Sequence, residues 1–225
     1  MKLPGSEPEV LYCDNHLLAI CKPCGMLTQP NDTEAESLES WGKAFLKQKY
    51  NKPGNVFLHA VHRLDKPVCG IVLFARTSKA LSRLNAALRE QKVVKIYLAE
   101  VEGCLRQESG TLRHFLKKEH FKTRVIEEDA AKAKEAALRY AVVARNEKSC
   151  VLQIELHSGR YHQIRAQMSA AGHPIVGDVK YGGKDAPQMM LCHAYMEFMH
   201  PVTGESLSIT LSKIWNAFKA APFKS

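Results

Sequence analysis

The sequence predicts an α+β fold built on a largely antiparallel sheet. Three observations carry this. Apolar segments of strand length outnumber those with helical spacing, several follow one another with no helix between them, and no linker divides the 225 residues into two cores. No internal repeat is present. At this length roughly 70% of the unfolded surface can be buried, so the core needs no disulfide or metal staple.

The segment 9-EVLYCDNHLLAIC-21 reads as two short strands around the turn pair Asp14-Asn15. After the polar stretch 28–37, the segment 37–50 places Leu38, Trp41, Phe45 and Leu46 at helical spacing, and Pro53-Gly54 follows its end. The run 70-GIVLFA-75 is a buried strand. Ser78 is placed to cap the next helix, whose apolar stripe is Leu81, Leu84 and Leu88.

Segment 93–103 alternates with period two. Val94, Ile96 and Leu98 make a core face, and Lys95, Tyr97 and Ala99 point the other way. Residues 111–125 are basic, with Arg113, Lys117, Lys118, Lys122 and Arg124 interleaved with Phe115 and Phe121. A mobile connection over 129–136 leads to strands at 137–146 and 150–158. A helix over 160–172 follows, ended by Gly172 as a C′ residue. On it Tyr161, Ile164, Met168 and Ala171 form an apolar face, and His162, Arg165 and Ser169 a polar one. Beyond the Gly- and Pro-rich loop 173–183, strands near 190–198 and 206–211 precede a short C-terminal helix.

Composition excludes several classes. No apolar run approaches the ~20 residues of a membrane span, and the first ten residues lack the apolar region of a secretory signal. The cysteine count, seven, is odd. Cys13, Cys21, Cys69, Cys150 and Cys192 lie in or beside apolar segments, which predicts free thiols in a reducing, cytoplasmic compartment. Cys21 and Cys24 form a CxxC, but no second pair stands at zinc-ribbon spacing, and Pro23 and Gly25 mark a turn. The net charge of +9 points toward a polyanionic partner such as nucleic acid.

The densest chemistry is 59-HAVHRLDKPVCG-70. His59, His62 and Asp65 could donate to a metal, but Pro67 and Gly70 make this a turn entering a strand, not a helix with one ligating face. Asp65 alone fits a local cap. A catalytic role would need a cation to hold it charged, and Arg165 is the best candidate, since an arginine pairs with a carboxylate bidentately. Tyr97, sharing a face with Lys95, is either a core residue or a ring that stacks on a base and handles a proton.

Spacing does not bring Asp65, Tyr97 and Arg165 together. Five ordered strings do point one way: 18-LAICKPCGMLTQP-30, "HRLD" (62–65), "KIYLAEVEG" (95–103), "HSGRYHQIRAQMSAAGHPIVGDVKYG" (157–182) and "LCHAYMEFMHPVTGE" (191–205). In that order they resemble the motifs of RluA-type pseudouridine synthases, over about residues 9–212. The resemblance implies the pseudouridine synthase fold: a mostly antiparallel mixed sheet flanked by helices, with an active-site cleft. It implies one catalytic domain over 9–225 after a tail of residues 1–8, without the N-terminal S4-like RNA-binding domain of many relatives. Asp65 would be the catalytic aspartate, Tyr97 the active-site tyrosine and Arg165 its arginine. Arg63, His62, Lys95, His162, Ile164 and Leu191 would contact the substrate. Arg113, Lys117, Lys118 and Lys122 would meet the RNA backbone.

The implied reaction isomerises uridine in rRNA or tRNA to pseudouridine and needs no metal or cofactor. The implied enzyme is a cytoplasmic monomer without membrane contact. A catalytically silent RNA-binding or ribosome-assembly protein on the same scaffold is the alternative. The sequence departs from the family at Cys21, where Asn is usual, at Val68-Cys69, where Thr-Ser is frequent, and at Tyr161, where Thr is common.

Overall fold

The computed structural model describes residues 1–32, 36–128 and 131–218. The strands are β1 (Glu9–Cys13), β2 (Leu17–Lys22), β3 (His59–Ala60), β4 (Cys69–Ala75), β5 (Val94–Glu102), β6 (Ser109–Glu119), β7 (Lys122–Ile126), β8 (Lys134–Arg145), β9 (Ser149–Leu156), β10 (Leu191–Met199) and β11 (Ser206–Thr210). The helices are α1 (Leu38–Lys49), α2 (Ser78–Arg89), α3 (Gln163–Ala170) and α4 (Ser212–Phe218). The class is α+β with a mixed, mostly antiparallel sheet; the pairs β1–β2, β2–β4, β3–β4, β10–β11, β5–β9, β9–β8, β8–β6 and β6–β7 are antiparallel. The chain divides into two compact units, one of Lys2–Val93 with His193–Ser212, the other of Val94–Cys192 with Met1 and the chain from Lys213.

In the first unit the strand order is β1-β2-β4-β10, with β3 on β4 and β11 on β10. Asp14 closes the β1–β2 turn, its Oδ1 accepting from the N–H groups of His16 and Leu17 at 2.7 Å each. Every residue of β2 and β4 is buried, as befits strands flanked on both sides. Gly70 is required where it stands. Its φ is +116°, and a Cβ there would lie 2.3 Å from the His193 carbonyl oxygen. Ser37 caps α1 through a reciprocal pair with Ser40. The cap of α2 is Thr77, not Ser78: Thr77 Oγ1 accepts from Ala80 N–H at 3.1 Å, and Ser78 is the first helical residue.

In the second unit the order is β5-β9-β8-β6-β7. The basic segment is the long β6–β7 hairpin, held against α3 by Leu116, Ala136, Ala166, Tyr181 and Val125. Three expectations need correction. β8 begins at Lys134, inside the stretch read as a mobile connection, of which 129 and 130 lie outside the described residues. β5 has no single core face: Ile96 and Leu98 are buried on one side and Tyr97 and Ala99 on the other, while Val94, expected in the core, is exposed. And α3 starts at Gln163, not residue 160.

Candidate active site

Asp65 sits in the turn between β3 and β4. Its carbonyl accepts from Val68 N–H at 3.0 Å, which closes the turn through the main chain. His62 Nε2 accepts from Leu73 N–H at 3.2 Å, which commits one ring nitrogen to the backbone. Arg63 is exposed and Leu64 is buried. The segment after β2 clamps this turn from below. Thr28 Oγ1 donates to the Leu64 carbonyl at 3.0 Å and accepts from Leu64 N–H at 3.1 Å, and Gly25 N–H donates to the Lys66 carbonyl at 2.9 Å.

Lys22 is the centre of that clamp and is fully buried. Its Nζ donates to the carbonyls of Pro23 (3.0 Å), Met26 (2.7 Å) and Lys66 (3.0 Å). Burial pulls its pKa down to about 8, while Cys24, Cys69, Asp65 and Cys21 push the other way. Lys22→Met leaves three inward carbonyls without a donor. Leaving a buried polar group unmade costs about 1–3 kcal/mol, and part of that is offset by no longer burying an ammonium. We expect a net loss of about 2–4 kcal/mol in urea unfolding. Because the folded pKa lies below the unfolded value, the unfolded chain binds more protons between about pH 8 and 10.5. Lys22 therefore makes stability rise with pH across that window. The methionine variant should lack the rise, and a variant as stable as the parent at every pH would remove Lys22 from this role.

In the second unit the approach to α3 is a built turn. The Gln163 side chain accepts from Arg160 N–H at 3.0 Å and from Ser158 Oγ at 2.8 Å, and donates to the Ala137 carbonyl at 3.1 Å. His162 precedes the helix in the left-handed region, with φ at 51°. α3 is buried nearly all round, its expected polar face included, and Arg165 is 4% exposed. The bidentate carboxylate on Arg165 is Asp178, with Nε to Oδ2 at 2.7 Å and Nη2 to Oδ1 at 2.8 Å. This fork takes two of the five guanidinium donors.

Tyr181 ties the neighbourhood together. The Arg165 guanidinium lies over its ring at 4.9 Å. Its hydroxyl accepts from Thr123 N–H of β7 at 2.7 Å and stands 2.9 Å from His162 Nδ1. Burial, with Arg165 nearby, pulls the His162 pKa down to about 3, so the ring is neutral and shares a single hydrogen bond with the Tyr181 phenol through Nδ1.

The other expected residues fall as follows. Tyr97 is 7% exposed and pairs with Ile154 across the sheet. Burial lowers the pKa of Lys95. Ile164 and Leu191 are buried. Lys118 places its ammonium over the Tyr161 ring at 4.7 Å, and Lys122 over the Tyr181 ring at 5.0 Å. Arg113 lies farther along β6, exposed and 3.4 Å from Glu135. His162, Arg165, Lys118 and Lys122 lie in the second unit near α3, and His62, Arg63 and Asp65 in the first. Sequence reasoning missed Lys22, Thr28, Gln163, Asp178 and Tyr181 as supports. All five lie within the quoted motif strings, which was the available signal.

Among the described residues no three His, Cys, Asp or Glu side chains gather as metal donors, and no helix is long and apolar enough to cross a membrane.

A family model described as RNA pseudouridylate synthase matches residues 16–170. The chain is 30% identical to the tRNA pseudouridine synthase C of Vibrio parahaemolyticus, over 92% of this chain and 90% of that one. It is 31% identical to the dual-specificity RNA pseudouridine synthase RluA of Haemophilus influenzae, covering 91% and 94%. It is 33% identical to the ribosomal large subunit pseudouridine synthase C of Pasteurella multocida, where 92% of this chain spans 65% of the longer protein. Two solved human structures, RNA pseudouridylate synthase domain containing 4 and 1, share the fold. Their TM-scores are 0.75 and 0.74 at 19% and 20% identity, over 95% and 100% of this chain and 89% and 94% of theirs.

Proposed function

The chain belongs to the RNA pseudouridylate synthase family, and from that membership we propose that it isomerises particular uridines of structured RNA, ribosomal or transfer, to pseudouridine. The observation that carries the reading is the extent of the family match. It runs through Asp65, Tyr97 and Arg165 and across both compact units, which supports one catalytic domain over 9–225.

Asp65 is the catalytic group of this proposal. Two first steps are open to its carboxylate: attack on the anomeric carbon as the bond to uracil N1 breaks, or removal of a ribose proton to give a glycal. In both, the uracil turns and rejoins the sugar through carbon 5, which then loses its proton. A nearby guanidinium favours the ionised carboxylate, and that is the role we assign to Arg165. Tyr97 stacks on the extruded uracil and assists loss of the carbon-5 proton. Ile164 and Leu191 line the apolar wall. His62, Lys95 and His162 contact the nucleotide. Arg63 braces the space that the flipped base leaves, since an enzyme acting on a base takes it out of the stack. The chemistry has no redox or phosphoryl-transfer step, and no cofactor is invoked. Free cysteines, several of them buried, support a cytoplasmic setting, and we take the working form to be a monomer.

Release of tritium from RNA labelled at uridine carbon 5 tests the reading. Binding without release would favour the silent RNA-binding alternative.

Lys117, Lys118 and Lys122 are assigned to the RNA backbone with Arg113. Replacing the three lysines by glutamine removes up to three phosphate contacts. The slope of log K against log salt should shrink by roughly two to three units on duplex RNA. An unchanged slope would mean that the hairpin face is merely solvated.

A further inference from the structure

The β6–β7 hairpin ends in a feature that folding alone does not favour. Glu119 pairs with Lys122, so the loop is the two residues His120 and Phe121. The first position of such a loop, when φ is positive, favours glycine. His120 occupies it at φ 49°. Phe121 follows and is 77% exposed, more than any other large apolar residue among those described. A glycine and a polar residue would make a less strained and better solvated turn.

The tip is displayed from a fixed stem. Two residues beyond Phe121, Thr123 is held twice: its N–H by the Tyr181 hydroxyl at 2.7 Å, and its own hydroxyl on the Tyr161 carbonyl at 2.7 Å. Lys118 and Lys122 flank the loop, their ammonium groups standing over the rings of Tyr161 and Tyr181. An exposed ring at the tip of a hairpin that carries Lys118 and Lys122 beside its loop matches one ligand chemistry: a nucleobase with its neighbouring phosphates. A protein partner would call for apolar neighbours around the ring, and the flanking residues here are charged.

We propose that Phe121 is a base-stacking residue, onto which an unpaired base of the bound RNA is laid while Lys118 and Lys122 meet the adjacent phosphates. The proposal rests on the reading that the chain acts on RNA. The stem contacts anchor the hairpin backbone at Thr123 before binding, so little backbone ordering is added when the base arrives.

The test uses the full chain and two RNAs of equal length, a stem-loop with a uridine-rich single-stranded loop and a fully paired duplex. Base–aromatic stacking removed by Phe121→Leu should weaken stem-loop binding by about 5- to 150-fold. The salt slope should stay unchanged, because no charge is removed. The duplex should be bound as by the parent. Phe121→Trp should keep stem-loop affinity within about threefold, on the ground that an indole stacks as a phenyl does. Its added emission, measured over that of Trp41 and Trp215, should be quenched at saturation. Parent-like stem-loop binding by Phe121→Leu, an equal loss on both RNAs, or an unquenched indole in Phe121→Trp would each overturn the proposal. The readout is binding, so an enzyme that releases no tritium from the chosen RNA would still show the quench. Full turnover with no quench would reject the stacking role while leaving the proposed activity standing.

Discussion

Asp65→Asn should abolish turnover while leaving RNA binding and fold intact. The substitution keeps the side chain's size and removes both its charge and its capacity as nucleophile or base. General acid–base assistance is typically worth about 10²–10⁴-fold, and a group on which the first bond-breaking step depends lies at or beyond the upper end. The turn is held through its main chain, since Val68 N–H binds the Asp65 carbonyl and the clamp from Lys22, Gly25 and Thr28 acts on the backbone of residues 64 and 66, and asparagine keeps the side chain's shape and one acceptor oxygen. Phosphate contacts supply much of the affinity, so RNA binding should persist. Tritium release, anisotropy and thermal unfolding on one preparation separate the three quantities. Turnover within tenfold of the parent would remove Asp65 from the catalytic role.

Much of the fold was legible because local chemistry and tertiary packing agree. The Asp14 turn, the α1 pattern and the Gly172 stop each follow from a residue whose preference the structure satisfies. The misreadings have equally local causes. Thr77 and Ser78 are both good caps, and composition does not say which one takes the role. The string GRYHQIR looks continuous with the helix, yet Gln163 binds back to Arg160 and Ser158 and diverts the chain until residue 163.

Long-range supports were invisible for a different reason. A lysine within an apolar strand pattern reads as a solvent position, and only three converging carbonyls reveal Lys22 as a structural ion. Period-two alternation puts Val94, Ile96 and Leu98 on the core face of β5 and Tyr97 on the opposite one. That period tells the two faces of β5 apart but does not say that both are covered. Asp178 stands thirteen residues from its arginine in a glycine-rich loop, a separation at which no spacing rule pairs two side chains.

That buried pair carries the second large effect. Arg165 and Asp178 are 4% and 1% exposed. Removing one partner of such a pair costs about 3–5 kcal/mol, because the buried fork that satisfies the other charge is broken. Asp178→Asn keeps one oxygen but turns an N–H₂ toward the guanidinium, setting donor against donor. Tm should fall by about 6–20 °C, at about 2–4 °C per kcal/mol for a chain of this size. Turnover should fall with it, since Arg165 loses the fork that fixes its plane. The double variant Arg165→Met, Asp178→Leu separates the two consequences. Replacing a buried ion pair by apolar residues of similar volume is often neutral or stabilising, so most of the lost Tm should return. Tritium release should not return, because the guanidinium is gone. A double variant that is both stable and as active as the parent would make the pair purely structural and take Arg165 out of the reaction. A single Asp178→Asn variant with parent Tm would contradict the burial argument itself.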